Sequence, residues 1–260
     1  MVVNMEFSIE NLEYFLLIAM RISAFIVSAP FFSVSFVPRR VKAGLSFVMA
    51  FVIFNTLEYE PLHYVGTIGY AALIIKEALA GLILGFAANI CTMILSFSGH
   101  FVDTEMGFSM VQNMDPTSNT QATVTGNLFV YTVTLIMLVS DMHLMVLTAI
   151  IDTFEIIPLG EVRISPTMYT MMVRFLTDYF LIAFRIVLPI FMCILITNVI
   201  LAILAKIAPQ MNMFVVGLQL KVMVGLAVLI LIVGLMPAIT DFIFNEMKDM
   251  IRYATKILGG

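Results

Sequence analysis

The sequence predicts an all-α integral membrane protein of about six long hydrophobic helices, and three observations carry that prediction. Of its 260 residues, 62% are hydrophobic and 12% charged, whereas a soluble domain carries about 45–50% apolar and about 25% charged residues. Mean hydropathy is +1.08. Apolar runs of about 20 residues or more, the length needed to cross a hydrocarbon core, recur between Pro, Gly and charged punctuation. With 13 Lys and Arg and 17 Asp and Glu, there are too few charges to coat a soluble particle. The 14 Gly, 9 Pro and 2 Cys exclude collagen-like, disordered and disulfide-scaffold classes. Cys91 and Cys193 sit in apolar runs and read as small buried hydrophobes. A net charge of -4 leaves no basic footprint for nucleic acid.

The segments follow in order. Segment 1, about 12–32, is preceded by Glu6, Glu10 and Glu13, and its first cation is Arg21. A secretory signal opens with positive charge, so this segment is expected to persist in the mature protein. Pro30 and Pro38 close it. Segment 2, about 41–57, ends at Glu58-Tyr59-Glu60-Pro61, and segment 3, about 70–102, precedes a long polar loop containing Asp115-Pro116. Segment 4, about 127–152, is bounded by Pro158-Leu159-Gly160 and Ser165-Pro166. Segment 5, about 172–206, stops at Ala208-Pro209, and segment 6 covers about 213–245. No internal repeat is visible, so residues 1–260 form a single membrane domain. Segments 3 and 5 exceed a bilayer crossing by about a dozen residues, more than tilt absorbs. Either they are tilted spans, kinked in segment 5 by Pro189, or they leave the bilayer and pack on other subunits.

Arg39, Arg40 and Lys42 crowd the loop after segment 1, and Lys206 and Lys221 flank the loop after segment 5. The positive-inside tendency places both loops in the cytoplasm. Six spans then put the C-terminus outside, in conflict with Lys248, Arg252 and Lys256; either the last segment is no simple span or a mixed-charge tail crossed regardless.

Arg21, Lys76, Glu77, Arg174, Asp178 and Arg185 fall inside the apolar segments. Facing lipid, six such charges would cost roughly 15–20 kcal/mol, more than the roughly 5–15 kcal/mol of net stability in a typical domain. Arg174 and Asp178 share a helical face and can pair, with Arg185 continuing the stripe. Lys76 and Glu77 point about 100° apart and need different partners, on other helices or other chains. Two readings stand: a polar seam at a conduit or subunit interface, or snorkelling near segment ends plus one internal ion pair.

Positions 103–126 are rich in Asn, Gln, Ser and Thr, carry Asp103, Glu105 and Asp115, and contain no Lys or Arg. Met106, Met110 and Met114 would share one face of a helix, and thioethers re-pack readily. The stretch is a deformable plug or a surface hairpin; long loops of this kind are functional or disordered. Ala78, Gly81, Gly85 and Ala88 give segment 3 a small-residue face permitting close helix approach. His63, His100 and His143 are scattered, with no metal-ligand spacing, nucleophile elbow or phosphate loop. No catalytic, cofactor-binding or metal residue is expected.

The run Ala208-Pro209-Gln210-Met211-Asn212-Met213-Phe214, followed by Gly217, Lys221, Gly225 and Leu226, resembles the FliR/SctT family of the type III secretion export gate. Further matches cover essentially the whole chain in order: Arg21, Pro30, Pro38 and Arg39; Lys76-Glu77, Gly81 and Gly85. They continue through Gly99, Asp103, Gly107 and Phe108, then Asp115-Pro116, His143-Leu144, Phe154 and Pro158-Gly160. Gln219 stands where the family commonly has proline, leaving the entry to segment 6 less rigid.

The resemblance implies an inner-membrane subunit of the flagellar basal body, with a FliP-like part over about 1–165 and a FliQ-like helical hairpin over about 166–260. It would complete an export pore with FliP and FliQ, beside the export proteins FlhA and FlhB, and pass unfolded flagellar substrates. The family's plug maps to 106–122, including Met106, Phe108, Met110, Met114, Asp115 and Pro116. Arg21, Lys76, Glu77, Arg174, Asp178 and Arg185 would be interface or buried charges. Pro209, Gln210, Asn212, Phe214, Gly217 and Lys221 would form a cytoplasmic loop motif. The competing reading is a six-helix, ion-coupled small-solute transporter using Glu77 and Asp178.

Overall fold

The computed structural model describes residues 9–30, 32, 37–57, 61–62, 64–108, 123–163 and 166–259. Every regular element among them is an α-helix: α1 Ile9–Ser28, α2 Arg39–Phe54, α3 Gly66–Met106, α4 Val124–Val139, α5 Met142–Ile156, α6 Thr167–Ile207 and α7 Met213–Gly259. The protein is an integral membrane protein of apolar helices.

Six spans were expected; α1, α3, α6 and α7 are each long and apolar enough to cross a membrane, and a fifth crossing arises if α4 and α5 are one broken span. Two differences explain the smaller number. Segment 2 folds as the 16-residue α2, about 24 Å long and short of a full crossing. Segment 4 is two helices, because Asp141 between them takes a left-handed backbone at φ 56°. Asp tolerates that conformation better than most side chains, and the Ser140-Asp141 polar pair interrupts the apolar run.

The other departure lies at the chain's end. Helix α7 runs 47 residues to Gly259, about 70 Å at ~1.5 Å per residue, so it is no simple span. Beyond 245 its pattern is amphipathic: Met247, Met250, Ile251, Ala254 and Leu258 are buried while Asp249, Arg252 and Lys256 are exposed. Helices α3 and α6 have 41 residues each. The latter continues through Pro189.

By internal packing the chain divides into two compact units. One comprises Met1–Ile90, Asp141–Phe175 and Asn245–Gly260, the other Cys91–Ser140 and Leu176–Phe244. In the first, α1 buries Leu17, Ile18, Arg21, Ile22, Phe25 and Ile26, a stripe at the 3.6-residue period. Helix α2 turns Ser46, Ala50 and Ile53 inward, and Phe15 of α1 meets Phe47 and Phe54 edge-on at 5.5 and 6.0 Å. The Arg163 N–H donates to the Leu258 carbonyl at 3.0 Å, tying the segment after α5 to the end of α7.

In the second unit, α3 buries Cys91, Ile94, Leu95, Ser98, Val102 and Met106, and α4 buries Phe129, Val133 and Met137. Phe97 packs on Tyr179 and Phe180 of α6, and Phe101 on Phe184 and Phe191. Large apolar side chains such as Leu181, Ile196, Ile230 and Leu231 are exposed on α6 and α7, the face of a chain covered by lipid or other subunits.

Candidate functional site

Two buried polar arrangements stand out in the apolar helices, one in each unit. In the first, Gly81 of α3 lies so close to the Arg21 carbonyl of α1 that a side chain there would collide with backbone. This approach sets Arg21 opposite Glu77, one turn before Gly81. The Arg21 Nε donates to the Glu77 carboxylate at 2.5 Å, and both side chains are fully buried. Arg21 Nη1 donates to the Ile157 carbonyl at 2.9 Å and, more weakly, to the Thr153 carbonyl at 3.4 Å. The guanidinium lies 4.3 Å over the Phe154 ring. The second Glu77 oxygen accepts from the Gly160 N–H at 2.8 Å. Among the described residues Arg21 Nη2 meets no hydrogen-bond partner. The pair thus fastens α1, α3, the end of α5 and the turn after it, with most of its donors and acceptors satisfied.

The second arrangement sits at the base of the long polar loop. Asp103, 2% exposed near the end of α3, accepts from the Thr125 N–H at 3.2 Å and from the Thr125 hydroxyl. Thr125 lies in the first turn of α4, so this carboxylate caps that helix from another one, meeting unpaired N–H groups and the positive helix end. One turn before Asp103, Gly99 lies against the Gly126 backbone, leaving no room for a methyl group. Met106, the last residue of α3 and fully buried, packs on the α7 backbone at Gly225, 2.6–2.7 Å from where a side chain would start. The end of α3 and the start of α4 are therefore held together on either side of residues 109–122, which lie outside the described residues.

The family described as "Bacterial export proteins, family 1" matches residues 12–247. The chain belongs to this family. It is similar to the flagellar biosynthetic protein FliR of Bacillus subtilis (strain 168), with 30% identity over 249 residues, 94% of this chain and 95% of that one. FliR of Escherichia coli (strain K12) is 29% identical over 241 residues, 89% and 90% of the two chains. FliR of Aquifex aeolicus (strain VF5) is 26% identical over 243 residues, 94% and 93%. Family membership and the apolar helices together make the protein a multi-pass bacterial membrane protein.

For this export-family chain, the residues singled out from the sequence fall as follows. Of the plug candidates, Met106 is buried and Phe108 half-buried just beyond Gly107; Met110, Met114, Asp115 and Pro116 lie outside the described residues. Of the charges, Arg21 and Glu77 come together. Glu77 was expected to find a partner on another helix or another chain, and it finds one within its own chain. Lys76 and Asp178 are half-buried, and Arg174 and Arg185 are exposed. The Arg174 guanidinium lies 4.6 Å over the Tyr253 ring. Pro209, Gln210, Asn212 and Phe214 are exposed around the turn joining α6 to α7, with Lys221 half-buried. Gly217 is buried and meets Leu201 across this hairpin, and Gln219 lies inside the helix. Among the described residues no cluster of three or more His, Cys, Asp or Glu could hold a metal ion.

Sequence reasoning did not connect Thr125 to Asp103 or Thr153 and Gly160 to the ion pair. A Thr-rich stretch opening an apolar run signals a helix start, but a cap supplied from 22 residues away carries no local signal.

Proposed function

We propose that the protein is a subunit of the export gate of the flagellar type III secretion apparatus, in the bacterial inner membrane at the flagellar basal body. It completes the export pore together with FliP and FliQ, beside FlhA and FlhB, and is no enzyme. Residues 1–165 take the FliP-like role and 166–260 the FliQ-like hairpin. The loop over 106–122 acts as a plug that closes the pore to ions and moves aside for unfolded flagellar substrates. Partner proteins and the membrane potential supply the driving energy.

The observation that carries this reading is the buried base of the excursion. A gate needs a movable segment on a rigid mount, and Asp103–Thr125, Gly99–Gly126 and Met106–Gly225 supply three contacts around one loop. Family membership and the FliR relatives support the export role. The transporter reading loses one of its carboxylates, because Glu77 is already occupied by Arg21 and the Gly160 N–H.

Extraction in mild detergent tests the assembly. The tagged chain should co-purify with FliP-type and FliQ-type subunits and be poorly recovered when they are not expressed. A well-folded solitary chain that moves a small solute across vesicles would overturn the proposal.

A further inference from the structure

Within the second unit, the end of α3 rests on a face of α7 that is shaped for one register. Met106 is fully buried, and its Cγ, Sδ and Cε lie 2.6–2.7 Å from the point where a side chain on Gly225 would start. The thioether therefore occupies the volume that any other residue at 225 would fill. Gly107 follows at φ 88°, and the Leu218 side chain lies 3.6 Å from the point where a Cβ on Gly107 would sit. Leu218 and Gly225 are two turns apart on one face of α7, with Val222 between them and Leu229 one turn beyond. Gly225 is thus the gap in a row of branched side chains. Gly217, on the neighbouring face, meets Leu201 of α6, so α6 braces α7 in this register.

We infer that Gly225 is a detent: it holds the root of the loop over 106–122 in its closed position, and axial displacement of α7 releases it. The inference rests on the plug reading above and names how that plug is controlled. Sliding α7 by one turn, about 5 Å, brings Val222 or Leu229 opposite Met106, and neither leaves room for the thioether. Packed helices change register in discrete steps of this kind, because their interdigitated side chains do not deform continuously. Methionine suits such a seat, since an unbranched thioether leaves one surface and repacks on another at little cost.

Ion flux across vesicles carrying the assembled complex tests the seat. Gly225→Ala should raise the flux about tenfold with recovery of the complex unchanged, because the new methyl displaces the end of a flexible side chain and not backbone. Met106→Ala/Gly225→Ala should bring the flux back toward the parent, the methyl now filling space the thioether has left. Gly234→Ala, on the same helix at a point where a side chain meets open space, should leave the flux as it was. Parent-level flux in Gly225→Ala, no relief in the double variant, or an equal rise in Gly234→Ala would overturn the proposal. Loss of the complex in Gly225→Ala would mark a packing contact only and equally overturn it. The release is tested by Met106→Cys/Gly225→Cys in a Cys91→Ala/Cys193→Ala background. The Met106 Cγ, where a cysteine sulfur would sit, is 2.7 Å from the Cβ position at 225, within disulfide reach. Oxidation should stop passage of flagellar export substrates in cells and reductant should restore it; export continuing through the formed disulfide would overturn the detent. Deletion of residues 110–120 separates the two ideas. A leaky deletion beside a tight Gly225→Ala overturns the detent alone, and a tight deletion overturns the plug reading and the detent with it.

Discussion

Replacing Glu77 with Ala should destabilise the chain far more than replacing Glu77 and Arg21 together. The structure gives the magnitude. The substitution removes the carboxylate that, among the described residues, touches a fully buried guanidinium and strips the Gly160 N–H of its acceptor. Removing one partner of a buried pair costs about 3–5 kcal/mol, chiefly because the remaining charge stays desolvated, and an orphaned N–H adds about 1–3 kcal/mol where water cannot reach it. Against a net stability of roughly 5–15 kcal/mol, that is about a quarter or more of what holds the fold. Arg21 keeps the Ile157 and Thr153 carbonyls and the Phe154 face, so the expected loss lies at the lower end of the combined range, about 4 kcal/mol. In Arg21→Met/Glu77→Leu no charge is left in the apolar site, and such replacements are often near neutral, leaving chiefly the orphaned Gly160 N–H at about 1–3 kcal/mol. Reversible SDS titration of helix content in mixed micelles, on the parent, Glu77→Ala, Arg21→Met, Glu77→Leu and Arg21→Met/Glu77→Leu, gives the loss in Glu77→Ala and, from the last three, the coupling energy. Single variants losing under about 1 kcal/mol each, and adding in the double, would refute the reasoning.

Three further outcomes follow from the contacts. Asp103→Ala should cost about 1–2 kcal/mol, the range for a lost helix cap, and raise hydrogen exchange of the Thr125 amide about 10-fold or more while the middle of α4 is unchanged. Gly99→Ala should cost at least about 3 kcal/mol, the upper end for overpacking, because the methyl meets Gly126 backbone rather than a flexible side chain; reduced recovery of folded chain checks it. The Tyr64 phenol donates to both oxygens of Glu13 at 2.7–2.8 Å, and that bond, with some desolvation, raises its pKa above the ordinary 10.0. Since the folded value is the higher one, the tether contributes fully below the ordinary value and fades as pH climbs through the raised one. In an ultraviolet titration read as parent minus Tyr64→Phe, Glu13→Gln should move this phenol's transition back toward the ordinary value.

How much of this was readable beforehand depended on the range of the interaction. Hydrophobic length located α1, α3 and α6 to within a few residues. It overran at Asp141, where a single left-handed residue ends a helix inside an apolar stretch. It also stopped short at 245, because the last 14 residues of α7 are marked by periodicity and not by hydropathy. The insertion cost of charges implied that Arg21 and Glu77 need partners, and the 100° offset between neighbours fits Glu77 turning inward while Lys76 stays half-buried. Their choice of each other was hidden, because 56 residues separate them and only the α1–α3 approach at Gly81 brings them together. The small-residue face of segment 3 was visible, yet its use was not: Gly81 and Gly85 meet α1, while Gly99 meets α4. The cap from Asp103 to Thr125 was illegible for the same reason.

The central claim is that the excursion mounted on Asp103 and Thr125 closes a conduit. Deleting residues 110–120 tests it directly, because Asp103 and Thr125 on either side of it already touch. The measurement is ion flux across vesicles carrying the assembled complex, parent against deletion. The account predicts equal recovery of the complex and a marked rise in ion leak. Unchanged leak from a fully assembled deletion complex would contradict it.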